Sequence, residues 1–301
     1  MAMAAARVGA RRGTPMLVLE TMRPRQWVKN VFVLGGLVFA GETLHADKVG
    51  IALVVFAAFC LASSAAYLVN DVVDMEADRH ARRTASRPIA RGDLAPRTAL
   101  VAAAVAALVA VGMTAAVSNW QTLLTLTGFV ALQAAYSYKL KHVLIVDVMA
   151  IAAGFVLRAY AGLISIEVRF SVWLLLCTGL IALYLALGKR RGEAVALGGA
   201  AAPQRRVLEG YSVGLIDELT RVVTPSIVVS YALYAVLGAE TQLMGLTVPF
   251  VLYGVFRVLY LIHLADSALP DDPTELVWRD RPLQVCIVLW GLTAGVITLA
   301  A

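Results

Sequence analysis

Long apolar runs separated by short polar segments dominate this chain. Nine runs hold enough apolar residues to cross about 30 Å of hydrocarbon as helices: 28–40, 51–69, 98–117, 121–136, 144–164, 172–188, 222–237, 246–263 and 283–300. The first run is short, and Pro24 suits a first helical turn, so its helix is expected to begin before Val28. The pattern predicts an all-α, polytopic membrane protein with nine transmembrane helices.

The composition supports the same class. The chain is 60% hydrophobic and 15% charged, whereas soluble globular domains carry about 25% charged residues. No segment between the runs is long enough for a separate soluble domain. We therefore expect one transmembrane domain over residues 23–301, which carries any catalytic site, after a flexible cytoplasmic tail over residues 1–22. Cys60, Cys177 and Cys286 lie inside apolar runs without metal-ligand spacing, so they are interpreted as packing residues.

The basic residues predict the orientation of the chain. Of 26 Lys and Arg residues, 22 fall on one side of the nine-run map, Lys48 and Arg169 fall on the other, and Arg158 and Arg257 fall within runs. By the positive-inside rule the side with 22 faces the cytoplasm, so the N-terminus is cytoplasmic and the C-terminus is outside. The net charge of +6 is thus explained by the orientation of the chain in the membrane, and nucleic-acid binding is not predicted.

An acidic motif follows the run 51–69 without a break. At about 100° per residue, Asn70, Asp71, Asp74 and Asp78 share one third of a helix face. Each carboxylate at membrane depth is unfavourable by roughly 2.5–3.5 kcal/mol, so the group needs a cation or a polar cavity. Mg²⁺ takes oxygen ligands, usually one or two carboxylates together with substrate phosphates. We expect Asp71, Asp74 and Asp78 to bind Mg²⁺ and, with Asn70, to act on a diphosphate.

Other polar residues are expected at the same cytoplasmic surface. Basic side chains beside a metal site can hold the phosphate oxygens that the metal does not reach. The candidate substrate-binding residues are Arg23, Gln26, Lys29, Arg87, Tyr138, Lys141, Asp147, Arg158, Lys189, Arg190 and Glu193. Structural alternatives stay open: residues 22–30 are also typical of an interfacial helix anchor, and Lys189 and Glu193 could form a simple i, i+4 pair.

Asp147 and Arg158 share one apolar run. The loop before this run is very short, so Lys139 or Lys141 should lie close to Asp147. Arg158 follows Asp147 by eleven residues, which places it about 20° away on the helical wheel and roughly 16 Å deeper. A buried guanidinium needs a partner. Arg158 therefore either forms an internal structural ion pair or lines the path of a substrate.

These residues together resemble the UbiA superfamily of intramembrane prenyltransferases. Its hallmark is an Asn-Asp-x-x-Asp-x-x-x-Asp motif at the cytoplasmic end of the second of nine helices, and residues 70–78 match it. The resemblance covers nearly the whole chain from Arg23 onward. It implies a nine-helix UbiA-like bundle in the plasma membrane, an active site that faces the cytoplasm, Mg²⁺ as the cofactor, and room for a homo-oligomer.

Within the superfamily, the chain is most similar to members that transfer phosphoribose to a lipid phosphate in mycobacterial and corynebacterial cell-wall synthesis. The matching stretches are 23–30, 67–71, 76–79, 87–90, 140–142, 157–159, 188–190 and 279–281. Members that use a prenyl diphosphate usually carry a second aspartate-rich motif after the sixth helix, where residues 188–193 here read Gly-Lys-Arg-Arg-Gly-Glu. A cationic phosphate-binding site fits this segment better than a second metal site.

The resemblance implies transfer of 5-phosphoribose from 5-phosphoribosyl diphosphate to a polyprenyl (decaprenyl) phosphate, with release of diphosphate, in arabinan and arabinogalactan precursor synthesis. Lys189 and Arg190 would bind the 5-phosphate or the diphosphate, whereas Arg23, Lys29 and Lys141 would steer the lipid phosphate. The lipid phosphate is already an anion, so the reaction needs no general base.

Two other functions stay open. A UbiA-type aromatic prenyltransferase would attach a polyprenyl group from its diphosphate to an aromatic acid or quinone precursor. It would share the first acidic motif but need a second carboxylate cluster near Lys189. A transporter that uses intramembrane carboxylates as a relay would show broken helices and repeated halves with charges at the midplane. Here no repeat is visible and the carboxylates lie at a helix end, which disfavours transport.

Overall fold

The computed structural model describes residues 13–39, 45–80, 84–168, 171–197, 207, 210–239, 241–264 and 279–300. Regular structure in these ranges is helical without a strand, which confirms the predicted all-α class. The α-helices are α1 (Thr14–Met22), α2 (Gly35–Phe39), α3 (Ala46–Val73), α4 (Met75–His80), α5 (Pro96–Val117), α6 (Trp120–Tyr138), α7 (Val146–Ser165), α8 (Val172–Leu197), α9 (Val213–Leu233), α10 (Val248–Leu264) and α11 (Arg281–Ala300). Helices of the 3-10 type cover Pro24–Leu34, Leu140–His142 and Gln242–Thr247, and a π-helix covers Tyr234–Gly238.

Seven helical segments of the described chain are long and apolar enough to cross a membrane. They are Ala46–Val73, Pro96–Val117, Val146–Ser165, Val172–Ala196, Val213–Gly238, Gln242–Leu264 and Arg281–Ala300. Each matches one of the nine predicted runs. Residues 28–39 of the first run are instead split between the 3-10 helix and α2. The run 121–136 lies in α6, whose threonines and glutamines lower its apolar character. The nine-helix count and the cytoplasmic N-terminus therefore stay predictions.

Residues 14–22 do not form the flexible tail that was predicted for residues 1–22. They form α1, with Pro15 in its first turn. Leu17 is buried and belongs to the same apolar cluster as Ala65 and Leu68 of α3. The prediction was wrong for these residues because their apolar side chains stabilise a helix against α3. Residues 1–12 lie outside the described residues, and the domain boundary stays a prediction.

Two apolar cores meet at α7. The first surrounds α3, which packs against α1, α5, α6, α7 and the 3-10 helix Pro24–Leu34. Here Phe59 of α3 meets Phe129 of α6 with ring centroids 5.2 Å apart. The second core lies among the four helices α8, α9, α10 and α11. Val148 of α7 belongs to the second core and Ala161 of α7 belongs to the first, so α7 connects the two halves of the bundle.

A glycine on α7 lets the 3-10 helix Pro24–Leu34 approach closely. A Cβ atom at Gly162 would lie 1.8 Å from the carbonyl oxygen of Val33, a distance that no side chain can occupy. Gly36 shows the same crowding more mildly, because its Cβ would lie 3.3 Å from Leu163. Small residues serve this purpose in membrane bundles generally, since they allow backbones to pack directly. The 3-10 helix that carries several candidate site residues is therefore seated on α7 by Gly162.

We predict that Gly162→Ala destabilises the protein. The new methyl group must push Val33 away, and overpacking of this kind costs about 1–3 kcal/mol. Thermal unfolding of the purified protein in detergent should show a lower midpoint. Gly128→Ala is the matched control, because a Cβ atom there meets nothing within 4 Å. A Gly162→Ala variant as stable as Gly128→Ala would contradict the close packing.

Candidate active site

The acidic motif lies where α3 ends. Asp74 follows Val73, the last residue of α3, and α4 begins at the next position. The amide of Asp78 still donates to the Asp74 carbonyl at 2.8 Å, so the chain continues in a nearly helical path. Asn70 Nδ2 donates to Asp74 Oδ2 at 3.0 Å. This contact agrees with the helical face that the spacing of the motif predicts.

Two arginines from separate segments contact the motif. Arg23 Nη2 lies 2.5 Å from Asp71 Oδ1. One nitrogen of Arg87, Nη1, lies 3.2 Å from Asp71 Oδ1 and 2.5 Å from Asp78 Oδ2. Asp71 is only 2% exposed, and a buried carboxylate is stable in its charged form only when such partners surround it. Asp71 and Asp78 thus converge on a single cationic atom.

Local structure positions both arginines. Arg23 forms the break between α1 and the 3-10 helix with φ = 53°, a left-handed conformation that is uncommon for residues other than glycine. Its guanidinium carbon lies 5.0 Å from the ring centroid of Tyr67. Arg87 precedes a segment whose Ile89 and Leu94 are buried in the apolar core beside α3 and α5. Arg87 is therefore carried by an anchored loop.

Lys141 completes the contacts around the motif. It is 2% exposed, and its Nζ lies 2.5 Å from Asp74 Oδ1 and 3.4 Å from Asn70 Oδ1. The short loop was expected to bring Lys139 or Lys141 close to Asp147, and the ion pairs of Lys141 and Asp147 in the structure are made with other residues. The 3-10 turn Leu140–His142 directs Lys141 to α3, whereas the first turn of α7 directs Asp147 to α8, where it meets Arg190.

A second charged cluster is buried between α7 and α8. Arg190 Nε lies 2.7 Å from Asp147 Oδ2, and Arg190 Nη1 lies 2.5 Å from Glu193 Oε2. Tyr211 donates its hydroxyl to Asp147 Oδ1 at 2.7 Å. Burial and the hydrogen bond to Asp147 raise the pKa of the Tyr211 phenol above its ordinary value, so this hydroxyl keeps its proton at neutral pH. Two of the three guanidinium nitrogens of Arg190, Nε and Nη1, are therefore bound to carboxylates.

Arg158 is enclosed by neutral groups. Its Nε donates to Asn30 Oδ1 at 2.7 Å, its Nη1 to the Gly154 carbonyl at 2.9 Å, and its Nη2 to Ser63 Oγ at 3.3 Å. The ring of Phe129 lies 4.4 Å from the guanidinium carbon. Among the described residues no carboxylate pairs with Arg158, so the predicted internal ion pair was wrong. Amide, hydroxyl, carbonyl and aromatic groups stabilise the cation instead, and they join the 3-10 helix, α3 and α7.

The remaining candidate residues differ in their burial. Gln26 Oε1 is buried and has no hydrogen-bond partner within the described part of the chain. Lys29 and Lys189 are half-buried. Tyr138 ends α6 and is 64% exposed. The structure therefore brings Arg23, Arg87 and Lys141 onto the acidic motif, but it leaves Tyr138 at its margin.

The arrangement is suited to a polyanion that carries a cation. Asp71 and Asp78 already converge on one positive nitrogen, whereas Asp74 contacts Lys141. In the ranges that the structure describes, no three acidic, histidine or cysteine side chains are close enough to hold a metal among themselves. A metal that also binds substrate phosphates needs only one or two protein carboxylates. The released arginine and lysine groups could then bind the phosphate oxygens.

Known proteins are similar to this chain in sequence and in fold. The sequence model of the UbiA prenyltransferase family matches residues 30–276. This chain belongs to the UbiA prenyltransferase family. Membership in this family, together with the seven apolar helices, makes it a multi-pass membrane protein.

Two similar relatives are decaprenyl-phosphate phosphoribosyltransferases. The protein from Mycolicibacterium smegmatis is 31% identical over 294 residues, which cover 92% of this chain and 91% of the relative. The protein from Mycobacterium tuberculosis is 32% identical over 289 residues, which cover 92% and 93%. A solved UbiA homologue from Archaeoglobus fulgidus, bound to GPP and Mg²⁺, matches with a TM-score of 0.73 at 17% identity and covers 95% of this chain and 100% of that structure. At this identity the likeness establishes the UbiA fold.

Several residues of the site were not predicted as such. Asn30 and Ser63 hold Arg158, and Tyr211 holds Asp147. Their partners come from distant segments, so no local spacing reveals them. The one available signal is that Ser63, Tyr67 and Asn70 recur at helical spacing inside an otherwise apolar run, which marks a polar stripe that leads to the motif.

We predict that Arg158→Lys lowers stability. Lysine keeps the charge but cannot reach three acceptors with a planar fork, and each buried group left unsatisfied costs about 1–3 kcal/mol. The midpoint of thermal unfolding in detergent should fall. Arg221→Lys is the control, since Arg221 is exposed and forms a surface ion pair with Glu218. Equal midpoints for the two variants would show that Arg158 is not a structural residue.

Proposed function

We propose that this protein transfers 5-phosphoribose from 5-phosphoribosyl diphosphate to a polyprenyl phosphate, in the manner that the names of its relatives describe. The observation that carries the proposal is similarity along more than nine tenths of both chains to decaprenyl-phosphate phosphoribosyltransferases. The site supports it, because three cations surround the acidic motif and residues 188–193 offer cations where a second aspartate-rich motif would otherwise be expected. A donor with phosphates at both ends of a ribose requires such an excess of positive groups.

Asp71 and Asp78 fit a magnesium ion. Their oxygens are the hard donors that Mg²⁺ prefers, and both already contact one cationic nitrogen. When bound, Mg²⁺ would neutralise charge on the departing diphosphate. Asp74, the third metal ligand that the sequence predicts, instead contacts Asn70 and Lys141. The Mg²⁺ in the Archaeoglobus fulgidus homologue supports a divalent metal for the fold.

The cations of the site divide between the two substrates. Arg23, Arg87 and Lys141 all contact the acidic motif. We assign Arg87 and Lys141, which lie in the segments after α4 and α6, to the diphosphate of the donor, with Lys189 for its 5-phosphate. Lys141 thereby changes from the lipid phosphate, to which the sequence analysis assigned it. Arg23 directly precedes the 3-10 helix Pro24–Leu34 and Lys29 lies within it. We assign both residues to the lipid phosphate. Gln26 Oε1, buried without a partner among the described residues, is available to accept a hydrogen bond from a ribose hydroxyl.

The reaction exchanges one C–O bond for another. The bond between the anomeric carbon and the diphosphate oxygen breaks, and the diphosphate leaves with the electron pair. An oxygen of the lipid phosphate then bonds to the anomeric carbon, which passes through an oxocarbenium-like state as in glycoside chemistry. The attacking oxygen is already anionic, so no side chain needs to remove a proton. The residues described above act by binding, orienting and neutralising charge.

Location and assembly follow from the same proposal. The side of the chain with 22 basic residues would face the cytoplasm, where a water-soluble sugar phosphate is available, and the protein would reside in the plasma membrane. The polyprenyl chain would leave between apolar helices into the bilayer. The product would serve arabinan precursor synthesis for the cell wall, and a homo-oligomer remains compatible with the exposed apolar helix faces.

We predict that Asp71→Ala and Asp74→Ala abolish transfer while the protein stays folded in membranes. Each change removes a carboxylate from the motif. Activity is measured with radiolabelled 5-phosphoribosyl diphosphate and polyprenyl phosphate, and in parallel with labelled prenyl diphosphate and an aromatic acid. Asp93→Ala is the control, because Asp93 is exposed and forms its ion pair with Arg91 at the surface. Full activity of Asp71→Ala would remove the metal assignment, and full activity of Asp74→Ala would remove the role of Asp74 in the motif. Turnover of the prenyl diphosphate alone would favour the aromatic prenyltransferase.

We also predict opposite effects of Arg87→Ala on metal and on donor. Without the guanidinium, Asp71 and Asp78 lose a competing cation, so Mn²⁺ or Mg²⁺ alone should bind about tenfold more tightly. The donor should bind at least about tenfold more weakly, since a charged hydrogen bond to phosphate is lost. Calorimetry on the purified protein measures both affinities. Arg91→Ala is the matched surface control, and weaker binding of the metal to Arg87→Ala would contradict the exchange of partners.

A further inference from the structure

The helix that carries Asp147 begins in an unusual way. Ile145 precedes α7 with φ = 69° and ψ = −43°, and no side chain caps the helix from within the segment. A positive φ is a genuine outlier for a β-branched residue and persists only where neighbouring groups hold it. The start of α7 therefore needs support from elsewhere in the fold.

Tyr211 supplies that support. Its hydroxyl accepts a hydrogen bond from the Ile145 amide at 3.0 Å and donates one to Asp147 Oδ1 at 2.7 Å. The side chain is 3% exposed. The neighbouring backbone is equally close, because a Cβ atom at Gly210 would lie 3.1 Å from Leu144 Cδ1. The segment before α9 is thus packed directly onto the loop that precedes α7.

The same hydroxyl links two parts of the site. Four residues before Ile145, Lys141 contacts Asp74 of the acidic motif. Two residues after Ile145, Asp147 uses its other oxygen to bind Arg190. The loop between them is short and has little freedom. A shift at Ile145 would therefore move Lys141 relative to the motif and Asp147 relative to α8.

We propose that Tyr211 is a positioning residue for donor binding. Its hydroxyl fixes the positions of Lys141 and of the Asp147–Arg190 ion pair. The inference rests on the proposed function, because the donor is the substrate assigned to Lys141 and to the end of α8. Tyr211 touches no substrate in this scheme. It acts on the donor through the conformation of the loop over residues 140–145 and through Asp147.

Tyr211→Phe tests the proposal. The change keeps the ring but leaves the Ile145 amide and Asp147 Oδ1 without this partner. We expect KM for 5-phosphoribosyl diphosphate to rise about tenfold, which is the scale of one lost buried hydrogen bond. KM for the polyprenyl phosphate should stay within about twofold of the unmodified protein. Steady-state kinetics with each substrate varied in turn measures both values.

Tyr231→Phe is the matched control. Tyr231 is also 3% exposed, and its hydroxyl also takes part in two hydrogen bonds. It accepts one from Trp290 Nε1 of α11 and shares one with Thr247 of the 3-10 helix Gln242–Thr247. Tyr231→Phe should lower the thermal midpoint by a similar amount and leave both KM values unchanged. A general loss of stability would change the KM values of the two variants alike. A rise in the donor KM of Tyr211→Phe alone therefore indicates positioning.

A second pair of variants covers the case in which Tyr211→Phe does not fold. Gly210→Ala presses on Leu144 and should raise KM for the donor in the same direction by a smaller factor. Gly214→Ala adds a methyl group that meets nothing within 4 Å and should leave KM unchanged. If the two variants of every pair that folds have the same KM for the donor, the inference about Tyr211 is overturned and the proposed function is not. An unmodified protein that does not turn over 5-phosphoribosyl diphosphate would overturn the proposed function and the inference with it.

Discussion

Ionised side chains are stable within an apolar helical bundle only where opposite charges or oriented dipoles surround them. Asp71 meets two guanidinium groups, Arg190 meets two carboxylates, and Arg158 is held by neutral acceptors and an aromatic ring. These partners come from segments far apart in the chain. Compensation of charge therefore draws the break after α1, the anchored loop at residues 84–95, the turn before α7 and the end of α8 to one surface.

That requirement also prepares the surface for its substrates. The carboxylates of the motif are paired with side chains that prefer phosphate. In the proposed reaction, a phosphate donor with its metal would bring both kinds of partner at once. Binding can exchange ion pairs within the protein for ion pairs with the ligand without leaving a charge isolated. The cost of removing a charge from water is largely met when the protein folds, so the site is organised before the donor arrives.

Packing provides the second constraint. The 3-10 helix Pro24–Leu34 carries Arg23 at its start and Asn30 near its middle, and it approaches α7 only because Gly162 has no side chain. α7 in turn spans both cores, with Asp147 in its first turn and Arg158 three turns further along. The position of one helix thus fixes groups at the acidic motif, at the second cluster and deep in the bundle.

The sequence by itself determined the all-α membrane class, seven of the spans, the family and the acidic motif, because hydrophobic runs and helical spacing are local properties. It could not determine the partners of the charged residues. Lys141 pairs with Asp74 and Asp147 pairs with Arg190, Arg158 has neutral partners among the described residues, and the hydroxyl of Tyr211 supports the start of α7. Residues 14–22 form a helix because α3 offers them an apolar surface. Each of these contacts joins segments remote in the chain, so only the tertiary structure decides which groups meet.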